Sequence, residues 1–306
     1  MSVATFIPEV WSAALIVPYE KNLVYGQPSV ASTAYTGEIT KYGDVVHIPS
    51  LTAPTVHDYK RGEDITIEDL TANDTELHID QGKYFAFGVD DVDKVQAAGE
   101  LINPATAAGA IKLRDNADSY LGTVLRDGAL ADNKLGTVDV LNDDPAKTTG
   151  AAQSGYKLLV RLAEKLNRKS VPTTGRYVVV GAGLYSALLM DPRFSRVDAS
   201  GNEQGLRNGI VGRAVGFEVL VSNNVPVSKG AELAIAGVPS AFAFASQILE
   251  TEAVRDTRQF RDIVRGLHVY GSKVIRPEGI ATAYVNIVEP GGAPASGASG
   301  AEVHTG

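Results

Sequence analysis

The feature that most constrains the fold is a long polar ribbon that runs directly into a long helix. Residues 44–48 and 75–80 alternate between apolar and polar side chains, which is typical of half-buried strands. Residues 65–70 form a third alternating segment, and the aromatic segment 84–87 closes the ribbon. Because such a ribbon has few apolar residues and isolated hairpins are marginal in water, it must lie on another surface. That surface belongs either to its own chain or to a neighbouring copy.

A one-sided helix is predicted after the ribbon. Aspartates within 90–93 suit the first turn of a helical segment that ends near Glu100. Asn103 as the N-cap and Pro104 as the first helical residue then restart the helix. Its apolar stripe comprises Ala110, Leu113, Ala117, Tyr120, Leu121, Val124 and Leu125. Its polar face carries Lys112, Arg114, Asp115, Asp118 and Arg126.

Helices and strands follow one another in the rest of the chain. Ser154 is a suitable N-cap for an amphipathic helix, which is followed by a buried strand at 177–180 and a helix at 183–190. The inward face of the first of these helices is Leu158, Leu159, Leu162, Ala163 and Leu166. Later strands are predicted at 217–222, 232–235, 241–244, 251–270 and 279–287. Turn-rich residues 128–153 suggest a domain junction, and the Gly, Ser and Pro composition of 290–306 predicts a flexible tail.

Charge and composition exclude several classes of function. The 306 residues suit one large domain or two ordinary ones, and their formal net charge is −8 without any block of Lys and Arg. This acidic balance disfavours a dedicated nucleic-acid reader, which needs clustered positive charge. With no cysteine, disulfides and thiolate metal sites are excluded. No signal peptide and no apolar run of bilayer length are present, so no membrane partner is expected.

One glycine pair raises the possibility of nucleotide binding. Gly181 and Gly183 follow a predicted strand, as in a dinucleotide-binding turn, but Ser186 stands where the third glycine belongs. Asp198 lies in a polar loop and does not end a second strand. Glycines at a strand-to-helix turn are also common for steric reasons alone. A nucleotide-dependent enzyme is kept as an alternative, and no cofactor is expected.

The histidines show no metal-binding spacing. They are His47, His57, His78, His268 and His304. None belongs to an HExxH pattern, so we expect no metal site and interpret the ribbon histidines as exposed or half-buried strand residues. A Ser–His–Asp site stays open because its members can be distant in sequence, although no nucleophile-elbow pattern surrounds Ser186.

Two features are candidate contacts between subunits. Pro8 suits the start of a short N-terminal helix whose Trp11 packs either in the core or on a neighbouring surface. The ribbon tip carries charges of both signs, which are either solvated or paired with a neighbouring copy. These tip residues are Lys60, Arg61, Glu63 and Asp64.

Four motifs and their order resemble one family. They are 6–11 (FIPEVW), 43–49 (GDVVHIP), 177–189 (YVVVGAGLYSALL) and 209–226 (GIVGRAVGFEVLVSNNVP). Together they are similar to the major capsid proteins of tailed phages with the Hong Kong 97-like fold, particularly those of actinobacterial phages. The resemblance covers the chain up to about Val288.

The resemblance implies an α+β fold with an arm, a ribbon loop, a spine helix and two domains. The implied regions are the N-terminal arm 1–34, the extended loop 35–88, the peripheral domain 89–153 with 247–289, the axial domain 154–246 and the tail 290–306. The extended loop is expected to lie over an adjacent subunit, and the axial domain to line the five- and sixfold axes. We predict that the segment from Tyr35 to Phe85 finds no adequate resting place on its own molecule.

The implied function is structural and not enzymatic. Such a protein self-assembles into pentamers and hexamers of an icosahedral head that encloses double-stranded DNA without reading its sequence. The implied partners are copies of the chain, a separate scaffolding protein, a portal and a decoration protein. Assembly is expected in the cytoplasm of a bacterial host, and the final location is the virion.

Two further implications concern the family. An encapsulin-type nanocompartment shares the fold and is kept as an alternative to a phage head. Some members of the family also crosslink a Lys of one subunit to an Asn of another. The candidates for such a crosslink here are Lys41, Lys60 and Lys83 with Asn133, Asn142 and Asn286.

Overall fold

The computed structural model describes residues 24–34, 43–51, 54–58, 61–62, 67, 69, 72–90, 102–143, 152–191 and 212–289. The helices within these residues are α1 (Ile102–Gly128), α2 (Gly155–Arg168) and α3 (Ala182–Met190). The strands are β1 (Val45–Leu51), β2 (Ala72–His78), β3 (Gln81–Asp90), β4 (Lys134–Leu141), β5 (Arg176–Val180), β6 (Arg213–Ala214), β7 (Phe217–Val221), β8 (Val227–Ser228), β9 (Ala231–Gly237), β10 (Phe242–Arg255), β11 (Arg261–Val274) and β12 (Ile280–Val288). None of the described helices is long and apolar enough to span a membrane. The predicted N-terminal helix, the helical segment before Glu100 and the tail lie outside the described residues.

The chain divides into two compact units. The first takes in the described residues of Thr33–Ala117 and Ala243–Lys273. The second takes in those of Asn22–Ser32, Asp118–Phe242 and Val274–Gly306. Each unit has its own sheet structure.

The ribbon of the first unit consists of β1 and β2, which pair antiparallel with His47 opposite Glu76. One face of this ribbon is buried through Val46, Ile48, Leu77 and Ile79. Gly271 of β11 lies against its base, since a Cβ there would be 2.2 Å from the carbonyl oxygen of His78. The prediction that the ribbon has no resting place on its own molecule is therefore wrong for these two strands. The alternation that predicted them is also the reason that one face can be buried.

The strand β3 pairs with β11 and not with the ribbon. It lies at the edge of a three-stranded sheet with the order β10-β11-β3. The prediction that residues 84–87 close the ribbon is therefore wrong. The Phe85 ring lies against Gly109 and Gly266, where a Cβ would be within 3.0 Å of the ring at either position. Glycines at these positions leave room for the aromatic ring and bring β3 onto β11.

The predicted single strand at 251–270 is a hairpin. The strand β10 ends at Arg255, and residues 256–260 form a turn before β11 begins at Arg261. The N–H of Asp256 donates to the carbonyl of Arg261 at 3.0 Å, which closes the turn. Alternation continues through both strands, so periodicity alone did not reveal the reversal of the chain.

The helix α1 begins at Ile102, one residue before the predicted N-cap. Ala117, Leu121 and Leu125 of the predicted apolar stripe are buried, and the other stripe residues are half-buried. The placement of Asp118 on the polar face is wrong, because this residue is only 2% exposed. Its partners come from distant parts of the chain, which helical spacing does not report.

The second unit is built on a mixed sheet of seven strands. Their order is β4-β12-β9-β5-β7-β6, and β8 pairs with β9. The pairs β12–β4 and β5–β7 are parallel, and the other pairs are antiparallel. The strand β4 (Lys134–Leu141) lies within residues 128–153, which were interpreted as turn-rich, and the domain junction there stays a prediction. The turn-forming residues that suggested this interpretation are 143–145 and 148–150, which follow β4 in the sequence.

The helices α2 and α3 of the second unit follow the sequence prediction. The Ser154 hydroxyl accepts the N–H of Lys157 at 3.3 Å, which confirms it as the N-cap of α2. All five predicted inward residues of α2 are buried. The strand β5 has every residue buried, as its apolar run predicts, and α3 begins directly after Gly181.

Candidate assembly surfaces

The segment that joins β1 to β2 is exposed wherever the structure describes it. Val56 is 95% exposed and Ile67 is 85% exposed. Exposure of large apolar side chains to water is unfavourable. Where several such side chains are exposed close together, the surface is commonly an interface with another protein. We call residues 54–69 the ribbon loop.

The predicted contact residues are only partly described. Arg61 is exposed next to Gly62, whose φ of 91° suits a tight turn in the ribbon loop. Trp11, Lys60, Glu63 and Asp64 lie outside the described residues. Their role as contacts therefore stays a prediction.

Two exposed aromatic residues of the first unit were missed from the sequence. Phe260, at the β10–β11 turn, is 81% exposed, and Tyr84, on the edge strand β3, is 77% exposed. Each belongs to a segment predicted as a strand from its alternation. Aromatic residues are common in strands, so their presence did not show that these two side chains are exposed. Their exposure became evident only from the hairpin turn and the sheet edge.

Ion pairs fix the geometry of the β10–β11 hairpin. They join Arg255 to Asp262 at 3.1 Å, Arg261 to Asp256 at 2.6 Å and Arg265 to Glu252 at 2.7 Å. The N–H of Arg258, together with the Arg261 guanidinium, lowers the pKa of Asp256. The pairs Arg255–Asp262 and Arg265–Glu252 are at the surface and contribute little stability, whereas the part-buried pair Arg261–Asp256 holds the turn next to Phe260.

A buried carboxylate organises the first described segment of the second unit. Asp118 Oδ1 accepts the backbone N–H groups of Val24 at 3.1 Å and Tyr25 at 2.7 Å, and Oδ2 accepts the Asn224 amide at 3.2 Å. Burial raises the pKa of Asp118, and these hydrogen bonds partly oppose that rise. The Tyr25 ring lies on Gly122, where a Cβ would be 3.0 Å from it. The two backbone hydrogen bonds and the Tyr25 ring contact attach residues 24–25 to α1.

The solvent face of the β1–β2 ribbon collects two histidines and two carboxylates. His47 Nδ1 is 2.5 Å from Asp74 Oδ2, and His78 Nε2 is 3.3 Å from Glu76 Oε2. Ligand atoms of His47, Asp74 and Glu76 all lie within 4.8 Å of one another. Among the described residues these three form the one group of His, Asp and Glu with metal-ligand proximity. Spacing along the sequence missed it because the ligands come from two strands.

At the glycine turn before α3, the Glu232 carboxylate lies where a nucleotide phosphate would bind. The Gly183 N–H donates to Glu232 Oε2 at 3.2 Å. A Cβ at Gly181 would lie 2.2 Å from the same oxygen, so this glycine makes room for Glu232. A negative group at the helix N-terminus is favourable, and it repels a second anion. The geometry disfavours the nucleotide-binding alternative.

The crosslink candidates differ in accessibility. Asn133 is fully buried, and its Nδ2 donates to the carbonyls of Glu278 and Ile280, so it serves packing within the subunit. Asn142 donates to Glu289, and Asn286 donates to Asp139. Lys83 is exposed, whereas Lys41 and Lys60 lie outside the described residues.

Comparison with known proteins gives one family. The family described as "Phage capsid protein" matches residues 52–283. A solved structure from Mycobacterium phage Che8 is 34% identical and has a TM-score of 0.73, over 92% of this chain and 98% of that chain. No curated protein sequence matches.

More distant structures share the fold. The capsid structure of the cyanophage P-SCSP1u is 14% identical with a TM-score of 0.69, over 92% of this chain and 94% of that chain. The mature capsid of bacteriophage PhiM1 is 13% identical with a TM-score of 0.67, over 91% of each chain. At this identity the likeness concerns the fold alone.

Proposed function

This chain belongs to the phage capsid protein family, and we propose that copies of it assemble into the shell of a phage head. Its function is that of a major capsid protein, and the structural matches confirm the predicted Hong Kong 97-like fold. The observation that carries this conclusion is the Che8 match, because 34% identity extends over 98% of that chain. The chain is therefore a shell subunit, located in the virion.

We propose that its copies form pentamers and hexamers of an icosahedral head. Residues 1–34 act as an arm and 35–88 as the extended loop. The regions 89–153 and 247–289 form the peripheral domain, and 154–246 form the axial domain at the symmetry axes. Many modest contacts repeated over a closed lattice supply the stability that a single contact lacks.

The exposure of the ribbon loop supports this proposal. Its described residues leave Val56 and Ile67 in water, whereas the strands at its base are seated on their own chain. A neighbouring subunit that covers the loop removes this apolar surface from water. In the proposed contact, the tip residues Lys60, Arg61, Glu63 and Asp64 pair with opposite charges on that neighbour. Trp11 of the arm also packs on a neighbouring subunit.

The charge of the chain supports enclosure of double-stranded DNA without sequence readout. A net charge of −8 with no basic block provides no strong phosphate-binding surface. The DNA can therefore be packed without adhering to the wall. A separate scaffolding protein, a portal and a decoration protein complete the proposed set of partners, and assembly takes place in the cytoplasm of the bacterial host.

The proposed role is not catalytic. An encapsulin-type shell shares the fold but encloses cargo enzymes, and the Che8 match favours a phage head. A nucleotide-dependent enzyme is disfavoured by the Glu232 carboxylate at Gly183. Titration with labelled ATP and NAD tests this alternative directly, and saturable binding would contradict the proposed non-catalytic role.

Electron microscopy of the purified full-length chain, with and without the scaffolding protein of its phage, tests the main proposal. We expect closed shells that show fivefold and sixfold clusters of subunits. Shells that capture a cargo enzyme and never a genome would favour the encapsulin-type alternative. A chain that forms no shell under either condition would contradict both.

A further inference from the structure

We propose that the solvent face of the β1–β2 ribbon binds one divalent transition-metal cation of the Zn²⁺ class. The ligands present in the structure are His47, Asp74 and Glu76, and His78, beside Glu76, would supply a fourth after a side-chain rotation. All ligands of this site belong to one subunit, so binding can be measured on unassembled subunits, separately from the proposed assembly role. It rests on strand register, ligand distances and ligand chemistry.

Strand register brings the ligands together. His47 lies opposite Glu76, and Pro49 lies opposite Asp74. Since side chains alternate between the faces of a strand, His47 shares its face with Asp74, Glu76 and His78. The opposite face is the buried one. All four ligand groups are therefore presented to solvent, where an ion can reach them.

The distances suit a single ion. Ligand atoms of a tetrahedral zinc site lie roughly 3.3 Å apart when each is about 2.0 Å from the metal. The ligand atoms of the three-residue group lie within 4.8 Å of one another, and the His47 and Asp74 atoms, which are hydrogen-bonded at 2.5 Å, would move apart around an ion. His78 Nε2 is 3.3 Å from Glu76 Oε2. Each of the four side chains is about half exposed, so small side-chain rotations can close the site without backbone movement.

The ligand types select the class of cation. Imidazole nitrogen suits Zn²⁺ and neighbouring transition metals, whereas Mg²⁺ and Ca²⁺ prefer oxygen ligands alone. Two carboxylates balance the charge of a divalent ion, and two imidazoles supply the nitrogen ligands. This combination distinguishes the face from an ordinary acidic patch.

A bound ion would join the two strands. His47 belongs to β1, and the other three ligands belong to β2. A two-stranded ribbon is marginal on its own, and an ion that binds only the paired strands stabilises their pairing. Metal binding would then rigidify the base from which the ribbon loop extends.

Calorimetric titration of the full-length chain with Zn²⁺ tests the site. We expect one ion per subunit and an affinity reduced at least about tenfold in His47→Ala and in Asp74→Asn. His57→Gln and Asp80→Asn are matched controls, since both residues are exposed in the same part of the chain but lie outside the cluster. Absence of binding, or equal binding in the ligand variants and controls, would overturn the proposal.

Amide hydrogen exchange supplies a second readout. Zn²⁺ should increase the protection of β1 and β2, and Mg²⁺ at the same concentration should not. An equal response to both ions would overturn the assignment to a transition metal. Shell formation is scored separately by electron microscopy, so intact shells without zinc binding would refute the metal site and leave the capsid function standing.

Discussion

The carboxylate of Asp118 accepts the backbone N–H of Tyr25 at 2.7 Å, although 93 positions separate the two residues. Both residues are buried, and the N–H of Val24 and the Asn224 amide also donate to this carboxylate. One side chain of α1 thus satisfies three donors from two distant segments. Buried donors without an acceptor are costly, so this carboxylate is a structural requirement of the second unit.

Replacing Asp118 should destabilise the subunit, and the size of the loss should depend on whether the new side chain can still accept hydrogen bonds. Asp118→Ala removes the acceptor of three buried donors, and we expect a loss of about 3 kcal/mol or more in the free energy of unfolding. Asp118→Asn should lose less, because its amide oxygen still accepts the backbone N–H groups. Urea unfolding of unassembled subunits measures both, with the exposed Asp132→Ala as the control. Equal stability of Asp118→Ala and Asp132→Ala would contradict this account.

Stability should fall at acidic pH because of His268. Burial, and then the charge of Arg114, lower the pKa of His268 below its ordinary value of 6.5. Its Nδ1 has no hydrogen-bond partner among the described atoms, and its ring lies 4.9 Å from that of Tyr270. The unfolded chain therefore takes up a proton more readily than the folded chain. The contribution of neutral His268 to the free energy of unfolding is fully present above pH 6.5 and is lost as the pH falls below that value.

The measurement compares wild type with His268→Phe, which keeps an aromatic ring but does not titrate. Below pH 6.5 the wild type should lose up to about 1.4 kcal/mol per pH unit relative to the variant. Urea unfolding at several pH values gives the difference. His57→Gln, at an exposed histidine, should follow the wild type. Parallel pH profiles for wild type and His268→Phe would rule out this role of His268.

A methyl group at Gly271 should displace the base of the ribbon. The Cβ of Gly271→Ala would lie 2.2 Å from the His78 carbonyl oxygen, and a backbone atom cannot rotate away. We expect a loss of stability of about 1–3 kcal/mol, together with faster amide exchange in β2. Ser272→Ala, at the next position, is the control and should change neither quantity strongly. Unchanged exchange in Gly271→Ala would show that the ribbon does not rest on β11.

Charges in the ribbon loop should block assembly without unfolding the subunit. Val56→Asp with Ile67→Asp places two carboxylates where the proposed contact buries apolar side chains, and burying an unpaired charge is costly. We expect normal urea unfolding but at least about tenfold fewer shells by electron microscopy and sedimentation. The control is Asp69→Asn, another exposed position in the loop. Normal shell yield in the double variant would exclude the loop from the assembly contact.

Local patterns predicted the elements whose stability depends on neighbours in sequence. The helix α2 illustrates this, because its Ser154 cap and its leucine stripe lie within a few turns of one another. The strand β5 was predicted for a similar reason, since residues 177–180 form a continuous apolar run and are all buried. The order of the four motifs also predicted the family and the fold.

Contacts between distant segments escaped prediction. The edge strand β4 pairs with β12, which lies at the far end of the described chain, so the residues near β4 in the sequence did not predict it. The pairing of β3 with β11 depends on glycines that receive the Phe85 ring. Asp118 looked like a surface residue because its donors come from elsewhere in the chain.

The sequence by itself determined the family, the helices α2 and α3, and the alternating faces of the ribbon, since each depends on periodicity or motif order. The tertiary structure alone decided which strands pair, which side of the ribbon is seated on its own chain, and which carboxylates are buried or meet histidines. The physical reason is that periodicity fixes the direction in which a side chain points. The groups that it meets there are fixed by register and packing between segments far apart in the chain.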